Sequence, residues 1–192
     1  WADFNGGGAN LTQGTASLKP IRNTGVVNGR AAVAFDGVDD YIQHVTGYTM
    51  QNVFIVYKVD SVTQSATEMG QLIGNYNDAA HVAIDPTVGN LQGHSFDGNG
   101  ATPATYALDN SATSGSVAND NTYPWVYDTF HLVHADFGSG QALTRMVFGS
   151  QLPGQSDQFG GDIAEVIIYS GSLTGPEIAA IKEYLRRKYN LW

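Results

Sequence analysis

Val53-Phe54-Ile55-Val56-Tyr57-Lys58-Val59 carries no charge before Lys58 and is built almost wholly from β-branched and aromatic residues. Such side chains suit the pleated surface of a strand. An apolar run without polar alternation marks a strand covered on both faces. The stretch therefore predicts the centre of a sheet with further structure packed on either side. Shorter runs of the same character flank it: Ala31 to Phe35, Tyr41 to Val45, Gln71 to Ile73, His81 to Ile84, Phe130 to Phe137, Thr144 to Phe148 and Ile163 to Tyr169. Turn chemistry separates them at Asp36-Gly37, Asp60-Ser61, Asp85-Pro86, Asp97-Gly98-Asn99-Gly100 and Gly138-Ser139-Gly140. Short strands at this spacing predict one all-β domain over residues 1–192, a two-sheet antiparallel jelly-roll sandwich. Asn99 to Tyr123, rich in Ala, Thr, Ser, Asn and Gly, reads as a long loop or a weak edge strand.

One C-terminal α-helix completes the expectation. Thr174 and Glu177 form a capping-box pair, and Pro176 suits the first turn. Ile178, Ile181 and Leu185 then recur on one stripe, and Asn190 offers a left-handed stop. Four of the nine basic residues (Lys182, Arg186, Arg187 and Lys188) fall in this segment, where they complement the negative end of the helix dipole.

The chain has 192 residues, a net charge of -9 and no cysteine. Nine scattered cations do not make the clustered basic surface that phosphate backbones require, which argues against nucleic acid as a partner. No apolar run approaches the roughly 20 residues of a membrane-spanning helix, so no membrane insertion is expected. Disulfide and thiol chemistry are excluded with the cysteines. The sequence opens at Trp1 rather than Met, which reads as a processed product or a domain of something longer.

Two segments carry a family likeness. Asn28-Gly29-Arg30-Ala31-Ala32-Val33-Ala34-Phe35-Asp36-Gly37-Val38-Asp39-Asp40-Tyr41-Ile42 resembles the "FDG-x-DDY" strand–turn–strand of laminin-G-like domains in the concanavalin A-like lectin/glucanase superfamily. Phe159-Gly160-Gly161-Asp162-Ile163-Ala164-Glu165-Val166-Ile167-Ile168-Tyr169, followed by Leu173-Thr174 and Glu177-Ile178, resembles their closing strand and the helix after it. The opening Trp1-Ala2-Asp3 and Thr15 to Pro20 are similar to bacterial and phage versions. The resemblance implies a module of a secreted, cell-surface or virion protein. Because such a fold hosts binders, adhesive modules and enzymes alike, function has to be argued from side chains.

The carboxylate inventory argues against catalysis. The glucanases of that superfamily use a Glu-x-Asp-x-x-Glu cluster, with nucleophile and acid about 5 Å apart. This chain has four Glu in all, at 68, 165, 177 and 183. Its nearest match, Asp162-x-x-Glu165, lacks the first Glu, and an odd spacing on a regular strand puts the two carboxylates on opposite faces. Arg145 and the five His offer pieces of a lyase site without its motif. By the same parity His131 and His134 point to opposite faces and cannot share a metal ion, one facing solvent while the other packs.

Calcium has two candidate positions, because hard cations take clustered oxygen ligands. One is Asp36 with Asp39, in a turn that also holds Asp40; the other is Asp97 with Asn99. Asp and Asn also stabilise turns through their own hydrogen bonds, and that role is favoured at Asp36. Ala164 stands where many relatives of the resembled family carry Asp, which weakens a borrowed calcium site. Saccharide recognition rests on aromatic faces beside amide and carboxylate groups. Tyr123 and Trp125 follow Asn119-Asp120-Asn121; Asn75, Tyr76 and Asn77 form a second group; His94 and Asp97 form a third. These residues make a glycan or polysaccharide the expected ligand of a non-catalytic extracellular module. A structural or adhesive module contacting other virion or surface proteins is the alternative.

Overall fold

The computed structural model describes residues 1–2, 10–67, 70–75, 82–84, 105–110, 114–115, 126–150 and 157–192. Eleven strands and one long helix occupy them: β1 Ile21–Val27, β2 Arg30–Asp36, β3 Ile42–His44, β4 Tyr48–Val59, β5 Gly70–Asn75, β6 Val82–Ile84, β7 Thr105–Leu108, β8 Ser114–Gly115, β9 Phe130–Leu143, β10 Met146–Phe148, β11 Gly160–Tyr169 and α1 Gly175–Tyr189. A short 3₁₀ turn spans Ala16–Leu18. The strands form two antiparallel sheets, one ordered β1-β2-β11-β4-β9-β7-β8 and the other β3-β10-β5-β6. Among the described residues, no helix is long and apolar enough to cross a membrane.

β4 lies fourth of seven in the larger sheet, and both its faces are covered. Val53, Ile55, Tyr57 and Val59 join Ile42, Leu72, Ile73, Val82, Ile84 and Phe148 in a core shared with the smaller sheet. Phe54 and Val56 point the other way, against Leu185, Tyr189 and Leu191 at the end of the chain. The continuous apolar run thus serves two cores, one on each side. Burying each such side chain contributes about 1.5–3 kcal/mol.

Helix α1 closes the second core with Ile178, Ile181 and Leu185. The Glu177 carboxylate accepts from both the N–H and the hydroxyl of Thr174 at 2.7 Å, completing the expected N-terminal cap. Asn190 takes a left-handed conformation (φ 53°), and its N–H returns to the carbonyl of Arg186.

Two departures from expectation have local causes. Gly138-Ser139-Gly140 is not a hairpin turn; it lies inside β9. The pairs Asn52–Asp136 and Met50–Gln141 leave residues 137–140 opposite Gln51 alone, so the glycines relieve a wide bulge, with Gly138 at φ 72°. β1 leaves no strand signature in the sequence, because its Arg22, Asn23 and Thr24 face solvent at the margin of the sheet and show no apolar alternation. Within the polar stretch 99–123, β7 and β8 add short strands, with β8 at the sheet margin.

Candidate functional site

The turn between β2 and β3 is organised by carboxylates. Asp36 Oδ1 accepts from the backbone N–H of Val38 at 2.9 Å, of Asp39 at 3.2 Å and of Asp40 at 3.4 Å. Asp40 Oδ2 in turn accepts from the N–H of Asp36 at 3.0 Å. One oxygen from each of Asp36, Asp39 and Asp40 falls within a 4.8 Å cluster. Asp40 is only 7% exposed. Burial, followed by the charge of Asp36, pushes its carboxyl up to about 6. Beneath the turn Gly149 sits at φ 88°, and a Cβ there would lie 2.2 Å from the Phe35 ring and 2.8 Å from the Asp40 carbonyl. The expected pair Asp36 and Asp39 is therefore brought together, with Asp40 as a buried third member. Asp36 fulfils the turn role directly; one oxygen from each of Asp36, Asp39 and Asp40 makes up the set available to a hard cation.

The second constellation is Asp109–His131. His131 Nδ1 lies 2.7 Å from Asp109 Oδ2, while Asp109 Oδ1 accepts from the N–H of Leu132 at 2.8 Å. On its far side His131 Nε2 meets the backbone of Val126, 3.1 Å from its N–H and 3.3 Å from its carbonyl oxygen. With the proton on Nδ1, both ring nitrogens are satisfied. Asp109 holds a left-handed conformation (φ 51°) just after β7. The dyad is structural, pinning the backbone at Val126, immediately after Trp125. No sequence motif announces it, since the partners are 22 residues apart and meet only through the β7–β9 pairing.

His134 lies on the opposite face of β9, stacked on Phe54 with ring centroids 4.2 Å apart. The parity expectation for the two histidines holds, but neither faces solvent. His131 is 6% and His134 1% exposed, because β9 is covered by the smaller sheet on one side and by α1 on the other.

The carboxylates of β11 require a second correction. Ile163 pairs with Tyr57 and Glu165 with the next residue, Val56, so Ala164 is a bulge residue. The extra residue shifts the phase, and Asp162 and Glu165 stand on the same, helix-side face. Each is held by a lysine: Asp162 with Lys58 at 2.8 Å and Glu165 with Lys188 at 2.9 Å. Arg145 donates to Gln43 Oε1 at 3.1 Å, bridging β3 to the start of β10.

Tyr76, Asn77, His94, Asp97, Asn99, Tyr123 and Trp125 lie outside the described residues; Asn75 closes β5, its backbone opposite Met146. The chain enters and leaves those segments at defined points. Residues 76–81 join β5 to β6, residues 85–104 lead from β6 to β7 in the other sheet, and residues 116–125 lead from β8 to β9. No family model matches the sequence, and no curated protein or solved structure matches it either.

Proposed function

We propose that the chain is a non-catalytic recognition module of the laminin-G-like, jelly-roll sandwich type, binding a glycan or polysaccharide as part of a larger secreted or surface protein. Tyr123, Trp125 and Tyr76 would supply stacking faces, and Asn75, Asn77, His94 and Asp97 would orient hydroxyls. The observation that carries this reading is the set of strands from which these residues hang: all three segments bearing them start or finish on β5, β6, β7 and β8. The anchor at Val126, one residue beyond Trp125, supports it by fixing one end of the aromatic segment.

The ion-paired state of Asp162 and Glu165 supports a binding rather than a hydrolytic role, since both carboxylates are committed to lysines. A second reading, adhesion by protein contact in a virion or cell-surface assembly, draws on β1. Among the described residues no strand pairs with the outer side of β1, and Ile21 is 66% exposed there, the kind of edge that accepts another strand. The test is a glycan array probed with the purified domain in calcium and again in chelator. Specific binding that disappears in Trp125→Ala or Tyr123→Ala carries the saccharide reading, and loss with chelator adds a calcium requirement. A folded domain with no hit transfers the weight to protein contact.

A further inference from the structure

The outer surface of α1 carries an open groove lined by Arg30, Ala180, Glu183, Tyr184, Arg187 and Lys188. Its walls come from the helix, from Ala180 onward, and from Arg30 at the start of β2. Asn28 Nδ2 and Arg30 Nε both donate to the carbonyl of Lys188 at 3.0 Å, so the β1–β2 turn is fastened to the helix end. On the other wall, Arg187 is held through its Nε by Glu183, which also takes Arg186 in two bonds. Both guanidinium groups of the groove are thus held through Nε. A fork fixed in this way is organised in advance for two-pronged contact with a carboxylate or sulfate.

Tyr184, 48% exposed, lines the same groove, with Lys188 Nζ 5.0 Å from the centre of its ring. Its hydroxyl accepts from Lys188 Nζ at 2.6 Å and donates to Glu165 at 3.4 Å, so the phenol is held by its far end. Lys188 is itself neutralised by Glu165 at 2.9 Å. Among the described residues, the positive charge of the groove that no carboxylate offsets belongs to Arg30, since the charge of Arg187 is shared with Glu183. In a chain of net charge -9, a cationic fork beside an aromatic ring is the local inverse of the rest of the surface.

We propose that this groove is a binding site for an anionic saccharide, a uronic-acid or sulfated sugar unit. Its carboxylate or sulfate is gripped by the terminal amino groups of Arg30 and Arg187, and its ring lies on Tyr184. The groove shares no residue with the saccharide set proposed above, and it stands whether or not that set binds sugar.

The test is calorimetric titration of the purified domain with a tetragalacturonate, a sulfated chondroitin tetrasaccharide, a fully methyl-esterified tetragalacturonate, inorganic sulfate and a 12-base-pair DNA duplex. At least one acidic tetrasaccharide is expected to bind, and to weaken about tenfold or more between 50 and 500 mM NaCl. The esterified sugar is expected not to bind. Arg187→Gln and Tyr184→Ala, both exposed positions, should each lower the affinity about tenfold with an unchanged melting temperature, while Val62→Ser, an exposed position outside the groove, leaves this binding intact. Failure of both acidic tetrasaccharides overturns the proposal, as does binding insensitive to Arg187→Gln. Sulfate binding that ignores Tyr184→Ala reduces the groove to an anion site and removes the sugar. DNA binding with the same residue dependence, without the sugars, replaces it with a nucleic-acid contact.

Discussion

The imidazole of His134 lies flat on the ring of Phe54, with planes 11° apart, and its Nε2 stands 3.0 Å from Oδ1 of Asn52. Asn52 spends its amide nitrogen on the carbonyl of Gly171 at 3.1 Å, which leaves its oxygen as the acceptor for the imidazole. The ring is thereby fixed as the neutral tautomer with its proton on Nε2. The contact joins β4, β9 and the segment leading into α1, so a polar link runs through the apolar layer beneath the helix.

Burial, with the nearby charge of Lys182 adding to it, holds His134 down at about 4. A base whose folded value lies below its free value of 6.5 stabilises the fold above that value, and the contribution is lost as pH falls through 4. Urea unfolding of the wild type and His134→Gln at pH 7, 5.5 and 4 should show the gap between them shrinking by about 1–3 kcal/mol as pH drops. A constant gap would show that the ring does not stay neutral in the fold.

Asp40 gives the opposite sign. Its carboxyl, raised to about 6, favours the protonated form in the folded state; that stability is complete below the free value of 3.8 and lost as pH rises through 6. Asp40→Asn should therefore be more stable than wild type at pH 8, by about 1–2 kcal/mol, with the advantage vanishing near pH 4. If the Asp36–Asp39–Asp40 turn takes calcium, millimolar calcium will raise the melting temperature of the wild type and leave that of Asp40→Asn unmoved.

Gln71 is fully buried on β5, and among the described residues neither its amide nitrogen nor its amide oxygen has a hydrogen-bond partner. An unmet buried amide costs about 1–3 kcal/mol. The near-isosteric Gln71→Met should raise the denaturation midpoint. A lowered midpoint would place an internal water against that amide.

The Asp109–His131 anchor makes a prediction at a distance. Asp109→Ala removes the acceptor of both His131 and the Leu132 N–H, at a cost of about 1–3 kcal/mol. Amide exchange at Val126 should accelerate well beyond the change at Ile55 in the centre of the sheet. Equal acceleration at both would mean that the dyad supports the fold as a whole and not this segment.

Local chemistry is what the sequence makes legible. The run from Val53 to Val59 declares its double coverage because each of its faces needs an apolar partner. Thr174, Pro176, Glu177 and Asn190 bound the helix because each caps it through its own side chain or backbone angle. What escapes depends on partners distant in the chain. Strand parity alone sends Asp162 and Glu165 to opposite faces, because the bulge at Ala164 is set by the pairing with Tyr57 and Val56. The same parity exposes one of the two histidines of β9, because neither the Asp109 that reaches His131 across β7 nor the helix that covers His134 is near in sequence. Of the candidate site, the acidic turn is visible in outline, since its donors and acceptors are neighbours; the burial of Asp40 is not, because it comes from distant chain. The groove on α1 reads as mere helix-end charge, because the Arg30 that completes it is more than 150 residues upstream.

The bulge at Ala164 also bears on how this chain can change length. Ile163, Val166 and Ile168 face the core shared by the two sheets, and Ile167 faces the helix. Removing Ala164 would leave inward and outward residues alternating regularly from Asp162 to Tyr169, with every apolar side chain still on its own side. A single deletion in the regular pairing beyond it, between Val166 and Tyr169, would instead turn the residues on one side of the gap inside out. β11 therefore carries one residue of slack, and it lies at the point where the strand passes beneath Tyr189. Loss of the codon at that point is the length change this closing strand is built to absorb.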